Sequence, residues 1–342
     1  MPRFPIHVRY PLARRSPGTE LVLRSALDWE RDVVPVRANG ELFEFELDAP
    51  AERLFVDYKP CLRERGVFQW SVGDNYVTWS QEAPHEIYPR FLDTHGTLSP
   101  HFTVRSRAGA VYEVRVYLPP GYEENTLKRY PTLYAHDGAN VFVPEESVGR
   151  VPWDLDDTHD LLDTMAVIDK VIVVAIHARA GARTLDYTEP GFHEYARFLA
   201  EELVPAIDAS FRTLTDARQR ATLGSSLGGV VALHLAWSRP ETFGKAACLS
   251  SSFGYNDDLF ARIAREERRP VRLYLDSGWP RDNFETTRQM MQLLVQKGYV
   301  VGQDLLYFAF PLALHSERYW AARVHLPFQY LFGRAWSPTV GT

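Results

Sequence analysis

Serine, histidine and carboxylate side chains can together turn an ordinary hydroxyl into a nucleophile, and this chain carries them in a suggestive order. Gly224-Ser225-Ser226-Leu227-Gly228 fits G-x-S-x-G. In that pattern the middle serine stands on a sharp strand-to-helix turn, and glycines flank it because the turn presses the backbone against its neighbours. Ser226 is therefore the candidate nucleophile, while Ser225, without glycines at the required offsets, is read as a residue beside the substrate. A serine hydroxyl attacks poorly at neutral pH, so a base must take its proton and a third group must fix that base in one tautomer. On such a turn the partners follow in the order Ser, Asp or Glu, His. Only His315 and His325 lie late enough; His315 falls in the loop after the run 304–310 and His325 inside a terminal helical pattern, so His315 is chosen. For the acid, Asp276 ends a strand and Asp282 opens a helix, whose N-terminus favours negative charge. Spacing leaves the two open.

These residues need elements to hold them. Ala221 and Leu223 read as the end of a buried strand, and Val230, Val231, Leu233, Leu235, Ala236 and Trp237 as a helix packed on a sheet. Acyl chemistry also needs two backbone N–H groups aimed at the developing oxyanion: one from the residue after the nucleophile, Leu227, and one from the loop after an earlier strand. His136-Asp137-Gly138-Ala139-Asn140 follows the apolar run 133–135 and supplies that loop. Ala139 is assigned the second donor, Asn140 is the alternative and a candidate substrate contact, and His136 supports the turn. Apolar runs at 132–135, 171–176, 221–223, 246–249, 271–275 and 305–308 alternate with helical patterns near 156–164, 192–209, 226–239, 257–267 and 282–297 and after 315. A hairpin at 102–105 and 111–118 precedes them. The order implies an α/β fold, a mostly parallel sheet with helices on both faces.

Residues 1–97 differ: alternating stretches at 20–23, 42–47, 53–58, 67–70 and 76–79, separated by turn residues, indicate a small antiparallel β-sandwich. Two domains are thus expected, 1–97 and 98–342. Tyr58, Trp70, Tyr76 and Trp79 are expected mostly in a core or interface, although such rings could stack on a sugar or an aromatic ester, and the aromatic-rich first domain could also be the surface of a homodimer. A formal charge of −6 argues against nucleic acid as a partner. No stretch of about 18 apolar residues and no signal-peptide pattern occurs, which argues for a cytoplasmic protein with no membrane partner. Cys61 and Cys248 fall in different expected domains, so no disulfide is expected. No metal-binding or nucleotide-binding motif occurs, so no cofactor is expected to be required. The acidic run 154–160 lacks the glycine and glutamate of a calcium loop and reads as a helix cap. Arg183 is a candidate for recognising an acidic substrate group, with pairing to Asp186 as its ordinary alternative. Trp279, beside the candidate acid, is an apolar wall for an acyl or aryl group, or packing for that loop.

Together these residues resemble the esterase branch of the α/β-hydrolase superfamily that includes enterochelin esterases, bacterial feruloyl esterases and the antigen 85 acyltransferases. The resemblance rests on Leu118-Pro-Pro-Gly-Tyr122, Tyr134-Ala-His-Asp-Gly138, Tyr187-Thr188, Glu202-Leu-Val-Pro-Ala-Ile-Asp208, Gly224-Ser-Ser-Leu-Gly-Gly229, Pro240-Glu-Thr-Phe-Gly244 and His315 with Trp320 downstream. It implies a serine hydrolase that cleaves a small-molecule carboxylic ester through an acyl-enzyme. It also favours Asp282 as the acid, because in the family the acid follows a strand-end glycine by a few residues. Here three residues separate Gly278 from Asp282 where two are usual. The first domain is similar to the β-sandwich modules that precede enterochelin-esterase domains. Acyl transfer to a sugar or alcohol is the alternative activity, and a glycan-binding protein on a hydrolase scaffold is the alternative outside catalysis.

Overall fold

The computed structural model describes residues 2–79 and 81–334; residues 335–342, the end of the second expected domain, lie outside the described residues. The chain divides into two compact units. One comprises Met1–Gly96 with Pro119–Lys128 and Asp163–Ala166, and the other comprises Thr97–Leu118, Arg129–Leu162 and Val167–Thr342. Two short segments embedded in the expected second domain therefore belong with the first unit.

The first unit is built from β1 (Arg3–Arg9), β2 (Glu20–Ser25), β3 (Asp28–Val33), β4 (Arg37–Asn39), β5 (Leu42–Asp48), β6 (Val56–Glu64), β7 (Val67–Trp70), β8 (Tyr76–Thr78) and β9 (His85–Ile87). They form one sheet in the order β4-β5-β1-β9 and a second in the order β3-β2-β6-β7, with β8 also on β6. All pairings are antiparallel except β1 with β9. Period-two alternation turns Phe4, Ile6 and Val8 of β1 and Phe43, Phe45 and Leu47 of β5 inward. There they share a core with Leu21, Leu23, Tyr58 and Leu62 of the other sheet. Tyr58 and Tyr76 are buried and stacked, while Trp70 and Trp79 are exposed.

The second unit holds a nine-stranded sheet: β10 (Thr97–Leu98), β11 (Phe102–Arg105), β12 (Val111–Leu118), β13 (Thr132–His136), β14 (Ile172–Ile176), β15 (Arg220–Ser225), β16 (Lys245–Leu249), β17 (Arg272–Trp279) and β18 (Leu305–Pro311). The order is β10-β12-β14-β13-β15-β16-β17-β18, with β11 also on β12. β12 runs antiparallel to its neighbours, and β13 to β18 are parallel. Its helices are α1 (Leu155–Thr164), whose end passes into the first unit, α2 (Arg183–Tyr187), α3 (Gly191–Phe198), α4 (Val204–Ser210), α5 (Leu227–Ser238), α6 (Leu259–Arg265), α7 (Phe284–Gln296), α8 (Glu317–Ala321) and α9 (His325–Phe332). The single helix expected over 192–209 is α3 and α4 joined by a π turn, Leu199–Leu203. Pro205, just beyond that turn, has no N–H to give to the carbonyl of Glu201.

Both faces of the sheet are covered. Leu223, Ala247, Leu249 and Tyr274 pack with Leu155, Trp320 and Phe328 of α1, α8 and α9. Ala246, Cys248, Leu273 and Leu275 pack with Val230, Trp237, Ile263 and Met290 of α5, α6 and α7. A strand covered twice must be apolar on both sides, and this is why the parallel strands read as short continuous hydrophobic runs. Among the described residues no helix is long and apolar enough to cross a membrane.

Candidate active site

The parallel strands all end at one edge of the sheet, so the loops that follow β13, β15, β17 and β18 gather there. Ser226 is the hinge between β15 and α5 and has φ 56° and ψ −121°. An L-residue rarely adopts such backbone, which is the strain expected of a nucleophile turn. Gly224 is needed for space, since a Cβ there would sit inside the Gly228 peptide. Ser226 N donates to Leu249 O at 2.9 Å, and its Oγ lies 3.3 Å from Ser252 Oγ. The hydroxyl is thus partnered by Ser252 rather than by His315.

His315 and Asp282 are brought together: Nδ1 lies 2.7 Å from Oδ1. The second oxygen of Asp282 accepts from Gly278 N at 2.8 Å and Ser250 Oγ at 2.6 Å. Burial pushes this carboxyl up, but the hydrogen bonds from His315, Ser250 and Gly278 outweigh it and hold it below the usual carboxylate range. A carboxylate on Nδ1 fixes the tautomer that leaves Nε2 as the base. The turn 278–282 presses on the loop of His315, because a Cβ on Gly278 would overlap the Ala313 carbonyl and lie 3.0 Å from Asp282 Cβ. Trp320 lies edge-on to His315 at 5.0 Å between centroids, and its Nε1 donates to Ser250 Oγ at 2.9 Å.

Asp276 is used otherwise. It is fully buried and accepts from Arg323 Nε at 3.0 Å, Arg323 NH2 at 2.9 Å and Tyr274 OH at 2.9 Å. Asp276, expected to end a strand, lies within β17, which continues to Trp279, and ties that strand to the segment between α8 and α9. Arg323 also donates to Ser250 Oγ at 2.6 Å, so one guanidinium braces the serine that braces Asp282. Sequence reasoning missed Arg323, as nothing in the spacing links it to a carboxylate 47 positions away.

The loop after β13 begins at Asp137, which is left-handed at φ 56°. Its carboxylate binds Arg183 by two bonds, Nε–Oδ1 at 2.6 Å and NH2–Oδ2 at 2.7 Å. Asp137 Oδ2 also lies 3.0 Å from where Gly228 would carry a Cβ, so this loop abuts the start of α5. Of the two alternative oxyanion donors, Asn140 N–H is spent on Asp137 O at 2.8 Å, and its Oδ1 accepts from Val148 N at 2.9 Å. Ala139 N–H enters no backbone hydrogen bond among those described. Leu227, the first residue of α5, has an N–H that the helix itself cannot satisfy.

Two expectations change. Arg183 pairs with Asp137 rather than Asp186, whose partner is Arg179 at 2.8 Å, because Asp137 turns toward α2 on its left-handed backbone. With two of its nitrogens committed to Asp137, Arg183 flanks the site rather than offering a free cation. Ser225, expected beside the substrate, is 2% exposed because it closes β15 in register with Leu249. His136, expected to support the turn, is fully buried beneath its loop and bonded to Tyr195 OH and Thr222 Oγ1. Trp279 ends β17 half-exposed. A cleft of about 460 Å³ opens beside Asp137, Ala139, Asn140 and Arg183, walled by Glu113 and His177.

The family model described as "Putative esterase" matches residues 106–325. An uncharacterized protein of Bacillus subtilis, YbbA, is 22% identical over 233 residues, 64% of this chain and 92% of its own length. The ferri-bacillibactin esterase BesA of the same organism is 25% identical over 183 residues, 44% of this chain and 59% of its own length. A ferulic acid esterase from Anaeromyces mucronatus, solved with ferulic acid, superposes with a TM-score of 0.56 at 19% identity, over 69% of this chain and 90% of that one. The strand-end serine, the left-handed loop facing it and the buried carboxylate on a late histidine lie within or beside the matched span, and the chain belongs to this esterase family.

Proposed function

We propose that the chain hydrolyses small carboxylic esters with Ser226 as nucleophile, His315 as general base and acid, and Asp282 as the group that orients His315. Leu227 and Ala139 N–H bind the oxyanion. Ser226 Oγ adds to the ester carbonyl as His315 Nε2 takes its proton; His315 then protonates the departing alkoxide, and water repeats the sequence on the acyl-enzyme. The observation that carries this reading is the Asp282–His315 bond of 2.7 Å, with Asp276 occupied by Arg323. Ser226 on Ser252 fits a resting site, since catalytic hydrogen bonds often tighten only around substrate.

The cleft beside Ala139 is lined by Glu113, Asp137, His177, Arg179 and Arg183, which suits an ester bearing hydroxyl or other polar groups; the names of the similar proteins point to ferulic acid and ferri-bacillibactin esters. Cys61 and Cys248 are free and buried, which supports a reducing, cytoplasmic setting. The test is Ser226→Ala against p-nitrophenyl acetate and methyl ferulate, with labelling of the native protein by an aryl organophosphonate. Activity should fall to the residual roughly 10³–10⁴-fold over water that oxyanion donors alone provide, and label should be found on Ser226. Undiminished turnover in the variant, or label on another residue, would overturn the assignment.

A further inference from the structure

On the wall of the cleft formed by β12 and the end of β14, two imidazoles lie between two carboxylates. His101 immediately precedes β11, Glu113 is on β12 and His177 follows β14. The register sets Val114 opposite both Phe102 and Ile176, so the three side chains come from three adjacent strands. His101 Nδ1 is 3.1 Å from one oxygen of Glu113, and His177 Nδ1 is 3.8 Å from the other. One ligand atom from each of the three lies within 4.8 Å of the rest. On the far side of the rings, His101 Nε2 is 3.0 Å and His177 Nε2 is 3.8 Å from Glu146. His177 Nε2 is buried without a hydrogen bond.

We propose that His101 Nδ1, His177 Nδ1 and Glu113 form a binding site for one divalent ion of the zinc class, with solvent completing the shell. Metal–ligand bonds of about 2.1 Å in a tetrahedron set ligands about 3.4 Å apart; the two Nδ1 atoms lie 3.1 and 3.8 Å from different oxygens of Glu113, and one ligand atom from each residue lies within 4.8 Å of the others, so small side-chain rotations close the three on one ion. Two imidazoles with one carboxylate select zinc and its neighbours over calcium or magnesium, which take oxygen donors. The choice between carboxylates follows from charge. Arg115 donates to Glu146 at 2.7 Å, whereas Glu113 pairs with no Arg or Lys among the described residues. Glu146 is then the outer partner that holds His101 by Nε2 and leaves Nδ1 for the ion. The ligands lie 12 and 64 positions apart along the chain, which is why no metal motif marks them.

The site uses none of Ser226, His315 and Asp282, but it shares Glu113 and His177 with the cleft proposed to receive the ester. His177 Cδ2 lies 2.7 Å from where Gly138 would carry a Cβ, so an ion on His177 fixes that ring against the loop of Ala139. The experiment titrates the full chain with Zn²⁺ by calorimetry, alongside His101→Ala and Glu113→Gln, with circular dichroism to verify folding and His315→Ala to exclude the candidate catalytic histidine. Wild type should bind close to one ion per chain, both ligand variants should bind at least about tenfold more weakly, and His315→Ala should bind as wild type. X-ray absorption of the zinc-loaded native protein should show two imidazole nitrogens and does not depend on any variant. Absence of saturable binding by wild type, wild-type affinity in both ligand variants, or loss of binding in His315→Ala would overturn the proposal.

Discussion

Asp276 and Asp282 lie six positions apart, both beneath the same sheet edge, and replacing each by asparagine should damage different properties. When Ser226 attacks, His315 becomes an imidazolium, and a carboxylate 2.7 Å from Nδ1 stabilises it. With charge centres about 4 Å apart and an effective dielectric of ~20, the attraction is about 4 kcal/mol. Asp282→Asn should therefore lower kcat/KM by roughly 10³-fold, with a further loss where the amide presents its NH2 to Nδ1 and favours the wrong tautomer. Its folding should change little, because the amide oxygen can still accept from Gly278 N or Ser250 Oγ. Asp276→Asn instead removes the near partner of Arg323, itself buried, and leaves it only Asp282 Oδ2 at 3.6 Å, at a cost of about 3–5 kcal/mol. For a unit of this size that lowers Tm by roughly 10 °C. Initial rates on an aryl ester and thermal melts followed by circular dichroism measure both. If Asp276→Asn lost three orders of magnitude in rate at unchanged Tm while Asp282→Asn stayed active, the acid would be Asp276 and the reasoning would be refuted.

Gly278→Ala should place a methyl group against the Ala313 carbonyl and push the His315 loop from Asp282; about 1–3 kcal/mol of overpacking and a large fall in kcat/KM are expected, and wild-type rates would show that the loop yields freely. Burial, with the Arg183 charge adding, pushes His136 down to about 3, against about 6.5 in an unfolded chain. The folded state therefore resists a proton that the unfolded chain accepts, so stability is lost as pH falls from about 6.5 toward 3, by up to about 1.4 kcal/mol per unit. In His136→Gln that component disappears, and the dependence of Tm on pH between 6.5 and 4.5 should flatten; equal slopes in the two proteins would contradict it.

The parallel half of the fold was legible because strands buried on both faces are short hydrophobic runs; in the antiparallel hairpin that precedes it, the bounds expected for β11 and β12 coincide with those observed. β1 was missed although Phe4, Ile6 and Val8 alternate, because Arg3, Pro5 and Arg9 make the segment read as an irregular terminus. β3 was missed for a different reason: none of Asp28–Val33 is buried, and Arg31 stands between Trp29 and Val33 on the one face with apolar residues. Ser226 and His315 could be chosen because chain order restricts the candidates. The acid could not be chosen by spacing, because the strand runs on past its apolar pattern to Trp279 and so encloses Asp276, whose carboxylate Arg323 takes. The partner of Arg183 was out of reach for the same reason, since Asp137 becomes available to it only through a left-handed backbone that no neighbouring residue dictates.

That backbone has a consequence for catalysis. An oxyanion donor is effective when it is held before charge develops, so that no reorganisation is needed during the reaction. Around Ala139 almost every other polar group is already committed. His136 is clamped by Tyr195 and Thr222, Asp137 N–H donates to Tyr187 OH at 3.1 Å, and the Asp137 carboxylate is held by Arg183. Asp137 O takes Asn140 N–H, Asn140 Oδ1 takes Val148 N–H, and Asn140 O takes Trp153 N–H at 2.8 Å. The loop cannot rotate Ala139 N–H away without breaking several of these bonds at once, each of which costs about 1–3 kcal/mol when a buried group is left unpaired. The same bonds that hold the turn therefore leave one amide free for the proposed oxyanion role, and under that proposal the residues that hold it, Arg183 above all, would act on the reaction through the loop rather than by touching the ester.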